Sequence, residues 1–155
     1  MSVRLVAAGT ADLDAVLEVM GVAFDPRFGE AWSASQLTGS MTQPDSWARL
    51  ARDGNMTIGF SLCRRIVDEA ELLLVAVVPA ARAQGIGAML IDAAAADARA
   101  RGVITMFLEM RDGNHAAARL YQRRGFTEIG RRRDYYRGSD GGRFDAVTMR
   151  RNLNV

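Results

Sequence analysis

Leu72-Leu73-Leu74-Val75-Ala76-Val77-Val78, stopped by Pro79, leads through Ala80-Ala81 into Arg82-Ala83-Gln84-Gly85-Ile86-Gly87-Ala88 and then into an alanine-rich stretch. An unbroken apolar run ended by proline is the pattern of a strand covered on both faces, so residues 72–78 are expected at the centre of a sheet. Residues 88–101 have helix-forming composition, and Gly102 supplies the left-handed residue that closes a helix. The turn between strand and helix is where chemistry is expected. Glycines let a backbone approach a ligand closely, and a helix start offers unpaired N–H groups and the positive end of its dipole, so together they cradle an anion such as phosphate. Two common phosphate motifs are excluded by the letters. The ATP-type loop needs Gly-Lys-Ser/Thr, and this chain has no lysine; the dinucleotide fingerprint needs glycine or alanine where Leu90 stands. Two glycines alone also fit a plain structural turn.

Working outward, residues 103–110 read as a further strand, 114–124 as a helix closed by Gly125, and 126–132 and 144–150 as strands joined through a glycine-rich turn at 138–142. Upstream, residues 3–7 form a first strand. Thr10 is placed to cap a helix carrying Leu13, Val16, Leu17, Met20 and Phe24 at helical spacing. Pro26 ends that helix, and Ser33 starts a short second one, broken at Pro44. Residues 46–52 and 56–66 flank Asp53-Gly54-Asn55, which is hairpin turn chemistry. Strands alternating with helices, without a linker or repeat, predict one layered α/β domain over residues 1–155 with at least one parallel strand pair.

Composition narrows the classes further. The chain has 155 residues, 49% hydrophobic and 25% charged, as an ordinary globular domain has. No apolar run is long enough to cross a bilayer, and Met1-Ser2-Val3-Arg4 lacks the pattern of a secretory signal, so a cytoplasmic location without membrane association is expected. One cysteine, Cys63, rules out an internal disulfide, and His115 as the one histidine leaves too few soft ligands for zinc, so no metal is expected. All 20 basic residues are arginine. Up to Met110 there are nine against 13 acids, and from Arg111 onward 11 against five, so positive charge gathers in the C-terminal third. Those guanidinium groups suit an anionic cofactor, an acidic partner or RNA, or serve only to solvate exposed faces.

The ordered set Arg82-x-x-Gly85-x-Gly87 after a buried strand, then Leu108-Glu109-Met110-Arg111, Asn114, Ala118-Arg119-Leu120-Tyr121 and Gly125-Phe126, resembles the GNAT superfamily of acetyl-CoA-dependent N-acetyltransferases. Within it, Arg132-Arg133-Asp134-Tyr135-Tyr136 and Asp145-Ala146-Val147 are most similar to the bacterial ribosomal-protein-alanine N-acetyltransferases. The likeness runs over about residues 70–153. It implies a mixed, mostly antiparallel sheet with a central, splayed parallel strand pair and flanking helices. It also implies acetyl-CoA as acetyl donor, with the pyrophosphate on the backbone of Ala83, Gln84, Gly85, Ile86, Gly87 and Ala88 and with Arg82 among the cofactor-binding residues. The pantetheine arm would pair with Val75, Ala76 and Val77, and Asn114, by type a helix cap, would bond the cofactor.

Acetyl transfer to an amine needs a base for the amine and a proton for the departing thiolate. The resemblance assigns these to Glu109 and Tyr121. Read alone, Glu109 is more simply a strand-end charge and Tyr121 more simply a half-buried core aromatic. Glu71, the position of an alternative base in some acetyltransferases, reads more simply as a solvated residue beside Asp68-Glu69, His115 as incidental and Cys63 as packing. Tyr135 and Tyr136 either line the acceptor groove or pack the last hairpin. The sequence departs from the family pattern at the acceptor end, where Asp25-Pro26-Arg27-Phe28-Gly29-Glu30-Ala31 lengthens the first loop. Expected acceptors are a ribosomal protein's N-terminal alanine or a small amine such as a polyamine, amino acid or antibiotic. A non-catalytic acyl-CoA- or RNA-binding module using Arg123, Arg124 and Arg131 to Arg133 ranks last. Nucleic acid enters only by way of a ribosomal substrate, and the chain is expected as a monomer or weak dimer.

Overall fold

The computed structural model describes residues 2–154; the expected domain ends at Met1 and Val155, which lie outside the described residues. Seven strands form one sheet: β1 (Val3–Ala8), β2 (Ser46–Asp53), β3 (Met56–Ile66), β4 (Glu69–Val77), β5 (Thr105–Arg111), β6 (Thr127–Arg137) and β7 (Arg143–Asn152). Their order is β1-β2-β3-β4-β5-β7-β6, so the apolar run does occupy the middle. Four helices cover the sheet: α1 (Leu13–Ala23), α2 (Ala34–Met41), α3 (Ile86–Ala100) and α4 (His115–Arg123). Every neighbouring pair is antiparallel except β4 and β5, which α3 connects.

That parallel pair holds together only at its start. The pairing is Glu69 with Thr105, Ala70 with Met106 and Glu71 with Phe107, and it stops there. A bulge explains the parting. Leu62 of β3 faces Leu74 and Cys63 faces Leu72, which leaves Leu73 as an extra residue in β4. An extra residue bends its strand and increases the twist, so β4 turns away from β5 and exposes its own backbone edge.

Two faces bury the sheet. On one, Ile91, Ala94, Ala95 and Ala98 of α3 meet Leu72, Met106, Leu108 and Phe126. The alanines explain why a helix of this composition fits: small side chains let it lie close against the branched residues of the strands. On the other face Val16, Val19 and Met20 of α1 and Leu37 of α2 meet Phe60, Leu62 and Leu74. Ser33 caps α2 by accepting from the Gln36 N–H at 3.1 Å, and the Gln36 side chain accepts from the Ser33 N–H at 2.8 Å.

Some boundaries move from the sequence expectation. Thr10 does not cap α1; residues Thr10–Asp12 form a 3-10 turn, and the Asp12 carboxylate accepts from the Gly9 N–H at 3.0 Å. The helix expected from residue 88 begins at Ile86, directly after Gly85. The strand expected over 126–132 continues to Arg137, because a register shift between Arg132 and Tyr136 absorbs the irregular Asp134, whose φ is +53°.

Candidate active site

The gap between β4 and β5 opens into a cleft of about 1240 Å³. Its floor is the free edge of β4, including Val75, Ala76 and Val77, and one end is the start of α3 with Arg82, Ala83, Gly85, Ile86, Gly87 and Ala88. Ala83 (φ +63°) and Gly85 (φ +79°) are both left-handed, a turn of the kind that forms an anion nest ahead of a helix start. Nothing stands within 4 Å of where a Gly85 Cβ would be, so the turn faces open space at that point. Gln84 is exposed and lies outside the cleft lining, so of the expected loop residues only its backbone belongs to the turn. Arg82 faces the cleft but is held by the carbonyls of Val77 (3.2 Å) and Ala23 (2.6 Å), tying the loop to α1.

Glu109 and Tyr121 line this same cleft. Glu109 sits on β5 where that strand has left β4, its Oε1 paired with Arg132 Nε at 3.0 Å. Its Oε2 is buried and has no partner. Loss of hydration pushes the carboxyl above its ordinary range, Arg132 opposes this, and Glu71 adds to it. A carboxylate with one free oxygen and a raised affinity for protons is equipped to act as a base. Tyr121, on the second turn of α4, packs edge-on to Phe126 with ring centroids 6.0 Å apart. Burial and the nearby Glu30 push its phenol up, so it keeps its proton and stands as a donor. Asn114 is the helix cap its type suggests, accepting from the Ala117 N–H at 3.2 Å, and it also borders the cleft.

The opposite end is built by two segments. In a regular strand neighbouring side chains point to opposite faces, yet Tyr135 and Tyr136 both line the cleft. The bulge at Asp134 makes this possible, and it is fastened by the Asp145 carboxylate, which accepts from the Asp134 N–H at 2.9 Å. Facing them is the long loop of residues 25–31. Its Phe28 packs edge-on to Phe144 at 5.3 Å, and its Pro26 carbonyl accepts from the Ser139 N–H at 3.1 Å. A Cβ at Gly29 would run into the Arg137 carbonyl and one at Gly138 into the Arg27 carbonyl, so glycine alone permits the two backbones to touch. The cleft wall is therefore continuous at this end.

Other candidates fall as follows. Glu71 borders the cleft but pairs with Arg64 at 2.9 Å. His115 is exposed and outside the lining, and Cys63 is buried in the core. No group of three or more His, Cys, Asp or Glu suited to a metal occurs among the described residues. Arg124, Arg131 and Arg132, three of the arginines read as an anion surface, have carboxylate partners in Asp92, Asp112 and Glu109. Sequence reasoning did not anticipate Arg132 as the partner of Glu109, nor the pair of Arg111 with Glu30 at 3.3 Å, which bridges 81 positions of chain.

A splayed β4–β5 pair with a glycine turn at the head of α3 and a carboxylate on the departing strand is the arrangement of an acyltransferase fold. Residues 13–126 match the Acetyltransferase (GNAT) family, and the chain belongs to that family. Among named relatives, the [ribosomal protein bS18]-alanine N-acetyltransferase of Haemophilus ducreyi is 42% identical over 92 residues, 59% of this chain. The match spans 63% of that protein, less than two thirds of its length. The N-alpha-acetyltransferase RimI of Mycobacterium tuberculosis is 35% identical over 127 residues, 79% of this chain and 77% of the relative. The crystal structure of the ribosomal-protein-S18-alanine N-acetyltransferase from Escherichia coli superposes with a TM-score of 0.87 at 29% identity, covering 98% of this chain and 94% of that one.

Proposed function

We propose that this protein transfers the acetyl group of acetyl-CoA to the α-amine of an N-terminal alanine, that of a ribosomal protein, in the bacterial cytoplasm. The observation that carries the reading is the placement of Glu109, with its unpartnered oxygen, and Tyr121 on one cleft whose floor is the free edge of β4 and whose end is the α3 nest. The names of the relatives point to the same acceptor.

The residues present fit the donor. The nest at residues 83–88 suits a pyrophosphate, and the open edge of β4 at Val75 and Val77 suits a chain of amides that adds as a strand. When bound, acetyl-CoA supplies the thioester. Glu109 accepts a proton from the acceptor ammonium, directly or through a water, so that the nitrogen lone pair attacks the carbonyl carbon. With the donor bound, Tyr121, whose neutral form burial favours, would give its proton to the sulfur as the C–N bond replaces the C–S bond. The nitrogen loses two protons in all: Glu109 carries the one taken before attack and releases it to solvent, and the second, which leaves the nitrogen after the C–N bond has formed, restores the Tyr121 phenol by way of solvent, so that a neutral amide and a free thiol remain.

The continuous wall at the acceptor end suits the tip of a chain better than a segment running through the cleft. The same enclosure also suits a small amine, which is the second reading. Thiol release is measured with a peptide starting in alanine, with the same peptide blocked at its amine, and with a panel of small amines. Turnover with the free peptide, lost on blocking and in E109Q and Y121F, supports the proposal. Turnover with small amines alone refutes the protein acceptor, and acetyl-CoA binding without any turnover refutes catalysis.

A further inference from the structure

We propose that Arg111 is a positioning residue of the acceptor end, acting through Phe28 and Glu30 to hold the loop of residues 25–31 against the β6–β7 turn, so that the acceptor wall is complete before an acceptor arrives. The inference rests on the reading that this end of the cleft receives the acceptor.

Arg111 closes β5, two residues beyond Glu109 and so on the same face of the strand. Its guanidinium carbon lies 3.7 Å from the centre of the Phe28 ring and 5.8 Å from that of Phe144. Its Nε meets Glu30 Oε1 at 3.3 Å, and the two side chains are only 12% and 15% exposed. One planar cation thus stacks on one loop residue and pairs with another, a combination that lysine does not reproduce. The loop has little else to fix it. Its regular structure is the single 3-10 turn Pro26–Phe28, and its other ties to the sheet are the Phe28–Phe144 contact, the Ser139 to Pro26 hydrogen bond and the glycine contacts. Because Arg111 and Glu109 share a rigid strand end, the arrangement sets the distance between the candidate base and the wall that faces it. A shielded ion pair costs hydration that a purely apolar plug would not, which points to geometry as what the pair secures.

The test uses the full chain and two readouts. Trypsin cleavage after Arg27, identified by fragment mass, reports whether the loop is held, since that side chain is already 60% exposed and only backbone mobility is missing. The Michaelis constants for an alanine-starting peptide and for acetyl-CoA report the site. Loss of a cation–π contact in R111A should free the loop, speeding the Arg27 cut and raising the peptide constant about tenfold, with the acetyl-CoA constant unchanged. R111K should behave like R111A. E30Q, which keeps the loop's packing, should move both readouts the same way by about threefold, and it decides the matter should R111A fail to fold. An unchanged Arg27 cut, an unchanged peptide constant, or an equal rise in both constants overturns the proposal. Absence of turnover in the wild type refutes the proposed function instead, and the trypsin arm still judges the latch.

Discussion

Arg132 and Glu109 make an ion pair whose removal has a calculable effect on the candidate base. The two atoms are 3.0 Å apart, but the Arg132 side chain is 63% exposed and that of Glu109 is 23% exposed. An ion pair with one end in solvent is worth about 0.2–1 kcal/mol, and one pKa unit corresponds to about 1.36 kcal/mol. Replacing Arg132 by glutamine removes the influence that holds the Glu109 carboxyl down and leaves the desolvation and Glu71 contributions that push it up. The carboxyl pKa should then rise, the proton being held more tightly by about the 0.2–1 kcal/mol that the pair is worth. Side-chain carboxyl carbon NMR across a pH titration measures it directly, with E109Q identifying the resonance. The acidic limb of the turnover profile should move to higher pH in the same variant, because the base must lose its proton to act. A carboxyl pKa that stays put or falls in R132Q would refute the assignment of Arg132 as the charge that tunes Glu109.

E109Q itself should lower turnover by about 10²- to 10⁴-fold, the ordinary worth of a positioned base, with acetyl-CoA binding retained. The same change should raise the melting temperature at neutral pH. The folded carboxyl binds its proton more tightly than the unfolded one, so the wild type loses stability as pH rises through the window above the usual carboxylate value and does not regain it; melts at pH 4 and pH 8 should show the E109Q advantage only at the higher value. G85A meets no steric obstacle but must hold an L-residue at φ +79°, costing about 1–2 kcal/mol, read as a lower denaturant midpoint together with weaker acetyl-CoA binding by calorimetry. D145A removes the acceptor for the Asp134 N–H and should raise the peptide constant through misplacement of Tyr135 and Tyr136, whereas D145N keeps an oxygen there and should stay near wild type in steady-state kinetics.

What could be read in the letters was what is local. The apolar run ending at Pro79, the hairpin at Gly54-Asn55, the start of a short helix at Ser33, the cap at Asn114 and the helix-closing Gly102 and Gly125 all depend on the residues at hand, and each stands where expected. The start of α3 was misplaced because Ile86 and Gly87 are poor helix formers, and it is the left-handed Gly85 and the packing of Ile86 in the core that fix the first turn. The length of β6 escaped for a related reason. A bulge breaks the alternation that marks a strand, and the pairing that restores it, Tyr136 with Phe144, lies on a different strand. Site partners are more distant still. No local pattern joins Glu30 to Arg111 or Arg132 to Glu109; only the folding of loop and hairpin onto the end of β5 does.

The parting of β4 from β5 also bears on solubility. A strand edge with apolar side chains and unsatisfied amides is a template on which other chains can polymerise, and β4 from Leu72 onward has such an edge. Here it is recessed inside a cleft bounded by α3, α4 and the loop of residues 25–31. Of the sheet's two outward edges, β1 and β6, the second is guarded differently, by a run of arginines and a bulge that spoils its flatness. One fold thus carries two kinds of open edge, an outer one made repellent and an inner one kept sticky but hidden.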